Sequence, residues 1–254
     1  MDKTYIQLIN VWKIFDEQII LAGVSLNIYK EETLGILGKS GTGKSVTLKL
    51  ISGLIKCDQG DIIVNGESIT NKTEDELLII RKKVSYVFQQ GALFDSLTIF
   101  DNIAYPLYEQ KQYTNEEINK KVFALASLLE VSDYLDKYPA EITLGVKKRV
   151  AIARSFATEP EVVLYDEPTT GLDPLMAKKI SQLIRKLNKN NKLTSVVVTH
   201  DITCIETVSD KVALLDDGKI IFYGTIKELK QSEDPFIKEF LYGISAFQPE
   251  PISH

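Results

Sequence analysis

One glycine-rich stretch of the chain has the composition of a phosphate-binding loop. It matches the pattern GxxxxGK[ST] and consists of Gly38, Lys39, Ser40, Gly41, Thr42, Gly43, Lys44 and Ser45. A phosphate chain binds closely spaced main-chain N–H groups and a helix N-terminus, with a lysine for the β- and γ-phosphates and a hydroxyl for Mg²⁺. Lys44 and Ser45 supply the last two groups. We therefore predict a nucleotide site here, with a glycine-rich surface turn as the alternative.

Two acidic residues and a histidine follow apolar runs that predict buried strands. Asp166 and Glu167 come after residues 162–165, and His200 comes after residues 194–199. Because ligands of open parallel sheets bind at the carboxyl ends of strands, His200 is expected at such an end. Asp166 suits the magnesium shell, and Glu167 suits a role in polarising the water that attacks the γ-phosphate. Taken alone, paired carboxylates also fit a charged helix start, and an isolated histidine is more often structural.

Composition limits the class of protein. The chain has 254 residues, of which 44% are hydrophobic and 26% charged, as expected of one globular unit. With 30 basic and 35 acidic residues it has no excess of positive charge, so we expect no nucleic acid partner. The basic runs at residues 81–83 and 147–149 predict solvated faces. The sequence has neither a bilayer-spanning apolar run nor a secretory signal, which predicts a cytosolic location. Cys57 and Cys204 are widely separated and predict neither a disulfide framework nor a zinc site.

Short β-branched runs alternate with amphipathic segments, which predicts an α/β fold with a mainly parallel sheet. Strands are expected at residues 36–37, 84–88, 162–165 and 194–198, and helices at residues 46–54 and 175–187. Residues 5–11, 19–26 and 61–64 predict an antiparallel β subdomain at the N-terminus. Asn65-Gly66 and Asp217-Gly218 are strong signals for tight turns, the second one within a late hairpin.

Between residues 90 and 160 helical periodicity replaces the strand signal. Thr114 and Glu117 form a capping-box pattern, followed by apolar residues on one helical face. We predict a nucleotide-binding core at residues 1–89 and 161–233, a helical insert at 90–160 and a tail at 234–254. The tail predicts a helix up to Ile244, followed by the sequence QPEPISH; its apolar face could pack on its own domain or on a neighbouring subunit.

The stretch YPAEITLGVKKRVAIARSFATEPEVVLYDEPTTGLDP, residues 138–174, resembles the signature-to-D-loop block of ABC transporter ATPases. The resemblance covers nearly the whole chain and implies a P-loop NTPase core that hydrolyses ATP with Mg²⁺. It implies that Phe15 stacks on adenine and that Gln89 contacts Mg²⁺ and the attacking water. It also implies that His200 contacts the γ-phosphate. Asp173 matches the family's D-loop aspartate, and Thr143 and Gly145 match the signature residues that contact nucleotide.

The signature departs from the family's LSGGQ, because this chain has ITLGV at residues 142–146. Leu144 occupies a position where a glycine usually lets the backbone approach phosphate. Either the leucine points away and is tolerated, or the site closes poorly and turns over slowly. Thr143 can replace the usual serine as helix N-cap and phosphate contact.

In this family the signature acts on nucleotide bound by a second copy, which implies a dimer. A homodimer is the simplest assembly, and a heterodimer with a better-preserved partner would compensate for Leu144.

Within the family, residues 38–50, 91–107 and 234–244 resemble the ATPase subunits of Mla or Mce-associated phospholipid transporters. This resemblance implies an integral-membrane permease, an Mce-type lipid-binding subunit and a small accessory regulator as partners. It places the chain at the cytoplasmic face of the inner or plasma membrane.

Two other functions remain open from the sequence. An importer of a polar solute, such as an amino acid, would use the same catalytic residues. A slow or non-hydrolysing nucleotide-binding regulator would be consistent with Leu144. A soluble ABC protein of repair or translation is disfavoured, because such proteins usually carry two cassettes or a long coiled-coil insert.

Overall fold

The computed structural model describes residues 3–242 and arranges their strands in two sheets. The strands are β1 (Thr4–Phe15), β2 (Gln18–Tyr29), β3 (Thr33–Leu37), β4 (Gln59–Val64), β5 (Glu67–Ser68), β6 (Val84–Val87), β7 (Val162–Asp166), β8 (Thr194–Thr199), β9 (Lys211–Asp216) and β10 (Lys219–Gly224). One sheet is antiparallel with the order β2-β1-β4-β5, and the other has the order β10-β9-β3-β8-β7-β6. In the second sheet only β10 runs antiparallel to its neighbour. The predicted α/β class, with a mainly parallel core sheet and an N-terminal antiparallel unit, is confirmed.

Helices cover the six-stranded sheet, and several of them belong to the chain segment that connects β6 to β7. They are α1 (Lys44–Ile51), α2 (Glu74–Arg81), α3 (Ile99–Gln110), α4 (Asn115–Leu128), α5 (Leu144–Phe156), α6 (Pro174–Asn190), α7 (Ile202–Val208), α8 (Ile226–Lys230) and α9 (Pro235–Tyr242). Two short 3₁₀ turns lie at Ser132–Tyr134 and Pro139–Glu141. Within residues 3–242, no helix is both long enough and apolar enough to cross a bilayer.

The six-stranded sheet separates two hydrophobic cores because its strands bury both faces. In β7, Val162 and Leu164 face a core formed with α1 and the antiparallel sheet. Val163 and Tyr165 face the opposite core, which contains α3, α4, α5 and α6. Successive side chains of a strand point to opposite faces, so a continuous apolar run serves both cores. Polar residues of the site are thus confined to the strand ends.

The two predicted turn dipeptides form tight turns with positive φ angles. Asn65 and Gly66 have φ values of 50° and 83°, and Asp217 and Gly218 have values of 42° and 70°. Positive φ at both central residues gives the backbone twist that suits a two-residue hairpin. These turns join β4 to β5 and β9 to β10. Both turn predictions are confirmed.

The predicted helical character of the stretch between β6 and β7 is confirmed by α3, α4 and α5. At the start of α4 the Thr114 hydroxyl accepts from the Glu117 N–H, and the Glu117 carboxylate accepts from the Thr114 N–H at 2.8 Å. This is the capping box that the sequence predicts. Ile118, Val122 and Leu129 are buried on the predicted apolar face.

The last described helix, α9, packs on its own domain. Ile237 is buried, and Phe236, Phe240 and Leu241 pack against the core that contains α5 and α6. Of the two predicted settings for this apolar face, the structure has the intramolecular one. Ile244 and the QPEPISH sequence lie outside the described residues.

A buried asparagine ties the segment after β6 to α3. Asn102 is fully buried, and its Oδ1 atom accepts from the Phe94 N–H at 2.8 Å. Its Nδ2 atom donates to the carbonyls of Phe94, Leu97 and Thr98 at 3.1, 3.1 and 2.9 Å. One side chain thereby satisfies several main-chain groups of a segment that has no regular secondary structure.

We expect Asn102→Ala to lower the free energy of unfolding by about 2 to 3 kcal/mol, because it leaves buried main-chain groups without partners. Urea denaturation followed by circular dichroism measures this difference. The matched control is Asn119→Ala on the exposed face of α4, which should change stability by less than about 0.5 kcal/mol. Equal losses in both variants would contradict the assignment.

Candidate nucleotide-binding site

Three neighbouring parallel strands bring the predicted site residues to one edge of the six-stranded sheet. β3, β8 and β7 pair in this order, so their carboxyl ends lie side by side. The phosphate loop, defined as residues 38–45, leaves β3, while Asp166 ends β7 and His200 follows β8. Gln89 follows β6, which pairs with β7. Ligands of open parallel sheets bind at this kind of edge.

The phosphate loop leaves no room for side chains at two of its glycines. A Cβ atom on Gly38 would lie 2.5 Å from the carbonyl oxygen of Leu215, and one on Gly43 would lie 2.8 Å from Cδ2 of Leu21. Gly43 also has a φ of 100°, which side-chain-bearing residues rarely adopt. It is the N-cap of α1, and no side chain among residues 3–242 caps this helix. The first-turn N–H groups of α1 are therefore available to an anion, as the sequence predicts.

Lys44 is held inside the phosphate loop. Its side chain is only 5% exposed, and Nζ donates to the carbonyls of Gly38 at 2.9 Å and Lys39 at 2.8 Å. Nζ also lies 3.6 Å from Oε1 of Glu167. Burial lowers the pKa of Lys44, while the charge of Glu167 acts in the opposite direction. A phosphate group would supply the close anionic partner that this buried ammonium favours.

Ser45 and Asp166 form an oxygen-rich pair suited to Mg²⁺. The Ser45 hydroxyl donates to Oδ1 of Asp166 at 2.7 Å, and the Tyr86 hydroxyl donates to Oδ2 at 2.9 Å. The carboxylate is 6% exposed and has both oxygens oriented by neighbours. Hydroxyl and carboxylate oxygens are the ligands that Mg²⁺ prefers, so these two residues fit the predicted ion.

Glu167 lies at the centre of a hydrogen-bonded cluster. Its Oε2 atom accepts from the hydroxyls of Thr170 and Thr199, each at 2.9 Å, and lies 3.0 Å from Nδ1 of His200. Burial alone would raise the pKa of Glu167, but these three neighbours outweigh burial and hold it below the usual value. Because three groups already contact Oε2, Oε1 is the oxygen better placed to receive a proton, and it faces Nζ of Lys44 at 3.6 Å.

The backbone of Glu167 is also unusual. Its φ is 46°, a left-handed value that costs a glutamate about 1 kcal/mol or more. The Glu167 N–H donates to the carbonyl of Val198 at 2.9 Å, which anchors the residue to β8. The strained conformation turns the chain sharply at the end of β7 and directs the side chain towards Thr199 and His200.

Phe15 and Gln89 have exposed side chains in this structure. Phe15 is 43% exposed at the end of β1, with Nζ of Lys13 4.9 Å from its ring centre. Gln89 is exposed, and its main-chain carbonyl accepts a hydrogen bond from Nζ of Lys148. No hydrogen bond or ion pair of the described chain joins either side chain to the phosphate loop. Their roles towards adenine and Mg²⁺ remain predictions.

The signature residues begin α5, away from the phosphate loop of the same chain. Thr143 occupies the predicted N-cap position with φ −71° and ψ 161°, but its hydroxyl makes no capping hydrogen bond among the described residues. Leu144 is 39% exposed, and its Cδ2 atom lies 3.0 Å from where a Cβ on Gly171 would be. The leucine therefore leans on Gly171, in the D-loop of its own chain.

Gly145 packs α5 against α6, and Asp173 begins α6 as its N-cap. A Cβ atom on Gly145 would lie 3.0 Å from Cε of Met176, so the glycine allows close packing. Asp173 is the N-cap of α6, and its Oδ1 atom accepts from the N–H groups of Leu175 and Met176, each at 3.0 Å. Across residues 3–242, no hydrogen bond or ion pair joins Thr143 or Asp173 to the phosphate loop. The structure thus brings together the residues after β3, β7 and β8 and leaves the signature residues apart from them.

The basic run at residues 147–149 predicts a solvated face, and this is wrong for its middle residue. Lys148 is 2% exposed and donates to the carbonyls of Gln89 and Glu167. Helical spacing gives the missing signal, because Gly145, Lys148 and Ile152 recur on the face of α5 that is buried. Tyr86, Thr170 and Thr199 were also missed, since single hydroxyls in apolar strands or loops have no distinctive pattern.

Known proteins resemble this chain over most of its length. A model of the ABC transporter family matches residues 21–170. The methionine import ATP-binding protein MetN of Carboxydothermus hydrogenoformans is 39% identical over 219 residues, which are 86% of this chain and 65% of that protein. The intermembrane phospholipid transport system ATP-binding protein MlaF of Escherichia coli K12 is 35% identical over 226 residues, which are 89% of this chain and 84% of that protein.

A solved structure has the same fold. It is the dimeric, post-hydrolysis state of an ATP-binding cassette bound to ADP and Pi, with a TM-score of 0.81 and 34% identity. The match covers 87% of this chain and 98% of that one. The family model spans the phosphate loop, Asp166 and Glu167, and thus the residues that the geometry gathers at one sheet edge. On this sequence and structural evidence, the chain belongs to the ABC transporter family.

Proposed function

We propose that the chain binds and hydrolyses MgATP. The observation that carries the proposal is the pair of contacts at one sheet edge, from Ser45 to Asp166 and from Lys44 to Glu167. It combines an ammonium for phosphates, a carboxylate for Mg²⁺ and a second carboxylate for water. These are the parts that phosphoryl transfer requires. The solved relative bound to ADP and Pi supports the same reaction class.

The residues divide the work of the proposed reaction. The N–H groups of the phosphate loop and Nζ of Lys44 bind the β- and γ-phosphates, and Ser45, Gln89 and Asp166 would hold Mg²⁺. When bound, Mg²⁺ neutralises charge on the phosphate oxygens. Oε1 of Glu167 accepts the proton of the attacking water. His200 orients Glu167 through Nδ1 and, being 53% exposed, keeps its other ring nitrogen free to contact the γ-phosphate.

We propose that two copies assemble head to tail around two nucleotides. The N-terminal end of α5 bears Thr143 on the surface, with no described contact to its own phosphate loop. Such a helix start offers N–H groups to the nucleotide of a second subunit. The solved relative is likewise dimeric. A homodimer would require no other ATPase chain. In a heterodimer, this chain with its Leu144-containing signature would assemble with an ATPase chain whose signature sequence differs.

We propose that an integral-membrane permease docks in a groove between α2, β6 and α3. The groove has a volume of about 910 Å³ and its surface is mainly apolar, although polar and charged side chains also line it. Leu78, Ile79 and Phe94 are 50%, 65% and 43% exposed along it. An exposed apolar surface of this kind marks a protein interface. The chain would then sit at the cytoplasmic face of the inner or plasma membrane.

Phospholipid is the cargo that we propose, with an Mce-type lipid-binding subunit and a small accessory regulator in the assembly. Residues 91–107 resemble the corresponding stretch of Mla and Mce-associated subunits, and Phe94, Tyr105 and Pro106 of this stretch line the groove. The similarity to an intermembrane phospholipid transport protein is consistent with this cargo. The alternative is import of an amino acid, favoured by 39% identity to a methionine import protein.

We expect Lys44→Ala to weaken MgATP binding by about 100-fold, or about 2.7 kcal/mol, because the buried phosphate ligand is lost. Glu167→Gln should bind MgATP within about threefold of wild type but lower kcat by about 10² to 10³. Isothermal calorimetry and phosphate release measure the two effects. Glu116→Gln on the exposed face of α4 serves as control. Wild-type turnover by Glu167→Gln would remove Glu167 from its proposed role.

We expect Thr199→Val to lower kcat by about tenfold, because the hydrogen bond that orients Oε2 of Glu167 is removed at nearly constant side-chain volume. The variant also removes the hydroxyl that accepts from the Asp201 N–H at 3.1 Å. Phosphate release by the permease-bound assembly measures this loss. Thr203→Val, at an exposed position of α7, should be neutral. An unchanged kcat in Thr199→Val would contradict this expectation and show that Thr170 and His200 are sufficient to orient Oε2 of Glu167.

Purification of a tagged chain from membranes in mild detergent separates the two cargo hypotheses. We expect a permease and an Mce-type subunit to copurify, with bound phospholipid detected by mass spectrometry. Lys44→Ala serves as a nucleotide-binding control for complexes that require ATP. Recovery of a soluble amino-acid receptor, or ATP hydrolysis stimulated by methionine, would favour the importer and overturn the lipid assignment.

A further inference from the structure

Lys148 connects the site of the proposed hydrolysis to the segment that follows β6. Its Nζ atom donates to the main-chain carbonyl of Glu167 at 3.1 Å and also to that of Gln89. These carbonyls belong to different strand ends, after β7 and after β6. The side chain is 2% exposed on the buried face of α5. One ammonium group thus connects α5 with the chain segments that follow β6 and β7.

A buried lysine is unfavourable unless its ammonium group makes compensating hydrogen bonds. Burial lowers the pKa of Lys148, and the charges of Glu167 and Asp166 only partly offset this effect. An apolar side chain of similar length would fill the same space without the desolvation penalty. The ammonium is therefore retained for the two carbonyls that it contacts.

The contact acts on a residue whose backbone is strained. Glu167 has a left-handed φ of 46°, and its N–H is held by the Val198 carbonyl at 2.9 Å. Lys148 holds the other side of the same residue through its carbonyl oxygen. With both main-chain polar groups anchored, the carboxylate keeps one orientation towards Thr199 and His200. The Thr170 N–H also donates to the Glu167 carbonyl, at 3.3 Å, so loss of the Lys148 contact would weaken this anchor and loosen the strained residue.

A second cation of α5, partly exposed, holds the same segment after β6. Arg154 donates to the carbonyls of Gly91 at 2.7 Å and Ala92 at 2.8 Å, and its guanidinium lies 5.8 Å from the ring centre of Phe94. Arg154, Ala92 and Phe94 also line the groove. Residues 89–92 are thus fastened to α5 at both ends, one end at the groove and the other at Lys148.

We propose that Lys148 is a positioning residue that fixes the backbone of Glu167 and couples its orientation to residues 89–92. A partner that shifts residues 89–92 at the groove shifts the Gln89 carbonyl, and Lys148 passes this shift to the Glu167 carbonyl. The inference rests on the proposed function, because it assigns Glu167 the role of receiving the proton.

The test compares Lys148→Met with Lys147→Met in the permease-bound assembly. Methionine keeps most of the side-chain length and removes the ammonium. Lys147 is the neighbouring lysine, half-exposed, and its side chain makes no hydrogen bond or ion pair within the described residues.

For Lys148→Met we expect kcat to fall by about tenfold or more, with the KM for ATP changed by less than about twofold. Stimulation of ATP hydrolysis by the permease should fall towards unity. Lys147→Met should match the wild type in all three quantities.

A merely structural role would lower the amount of folded protein without separating kcat from KM. Wild-type kcat and stimulation in Lys148→Met would overturn the inference and leave the proposed function intact. A Lys148→Met protein that does not fold would also overturn it, because the ammonium would then be holding the fold. Absence of ATP hydrolysis by the wild-type assembly would instead contradict the proposed function.

Discussion

The parallel pairing of β3, β8 and β7 decides where the charged residues of the site lie. Each strand is buried on both faces, so polar side chains are confined to its ends. Ser45 and Asp166 are 121 positions apart in sequence, yet they share a hydrogen bond because their strands end at the same edge. The site therefore depends on the order of the strands in the sheet. The apolar strands contribute to function because they set this order.

Charge compensation explains why so many ionic groups can be buried here. Lys44 is surrounded by carbonyls of its own loop, and Glu167 receives hydrogen bonds from hydroxyl groups. Each buried charge thus has a polar partner, as low-dielectric surroundings require. The 3.6 Å separation of Lys44 and Glu167 is long for an ion pair, so an entering phosphate group has little direct contact to displace.

Much of the fold could be predicted because its signals are local. The turn dipeptides, the capping box at Thr114 and the glycine-rich loop each depend on neighbouring residues. The turn between β1 and β2 had no such signal, because its second central residue, Glu17, has a φ of 68°, a left-handed value that glutamate seldom adopts. Consequently, β1 extends to Phe15, beyond its predicted end.

The functional residues at the strand ends could be predicted from the sequence, whereas the residues that position them could not. Asp166, Glu167 and His200 stand out because each interrupts an apolar run. Lys148 was misjudged because a lysine within a basic run predicts exposure, although helical spacing places it on a buried face. Tyr86 reaches Asp166 across 80 positions, a contact that only the folded chain displays.

We propose that nucleotide lies between the phosphate loop of one copy and the start of α5 of another. A structure of Glu167→Gln with MgATP tests it most directly, since that variant should bind without hydrolysis. We expect two nucleotides in a head-to-tail pair, each contacted by residues 38–45 of one copy and by Thr143 of the other. An empty phosphate loop, or Thr143 facing away from the γ-phosphate in the closed pair, would contradict it.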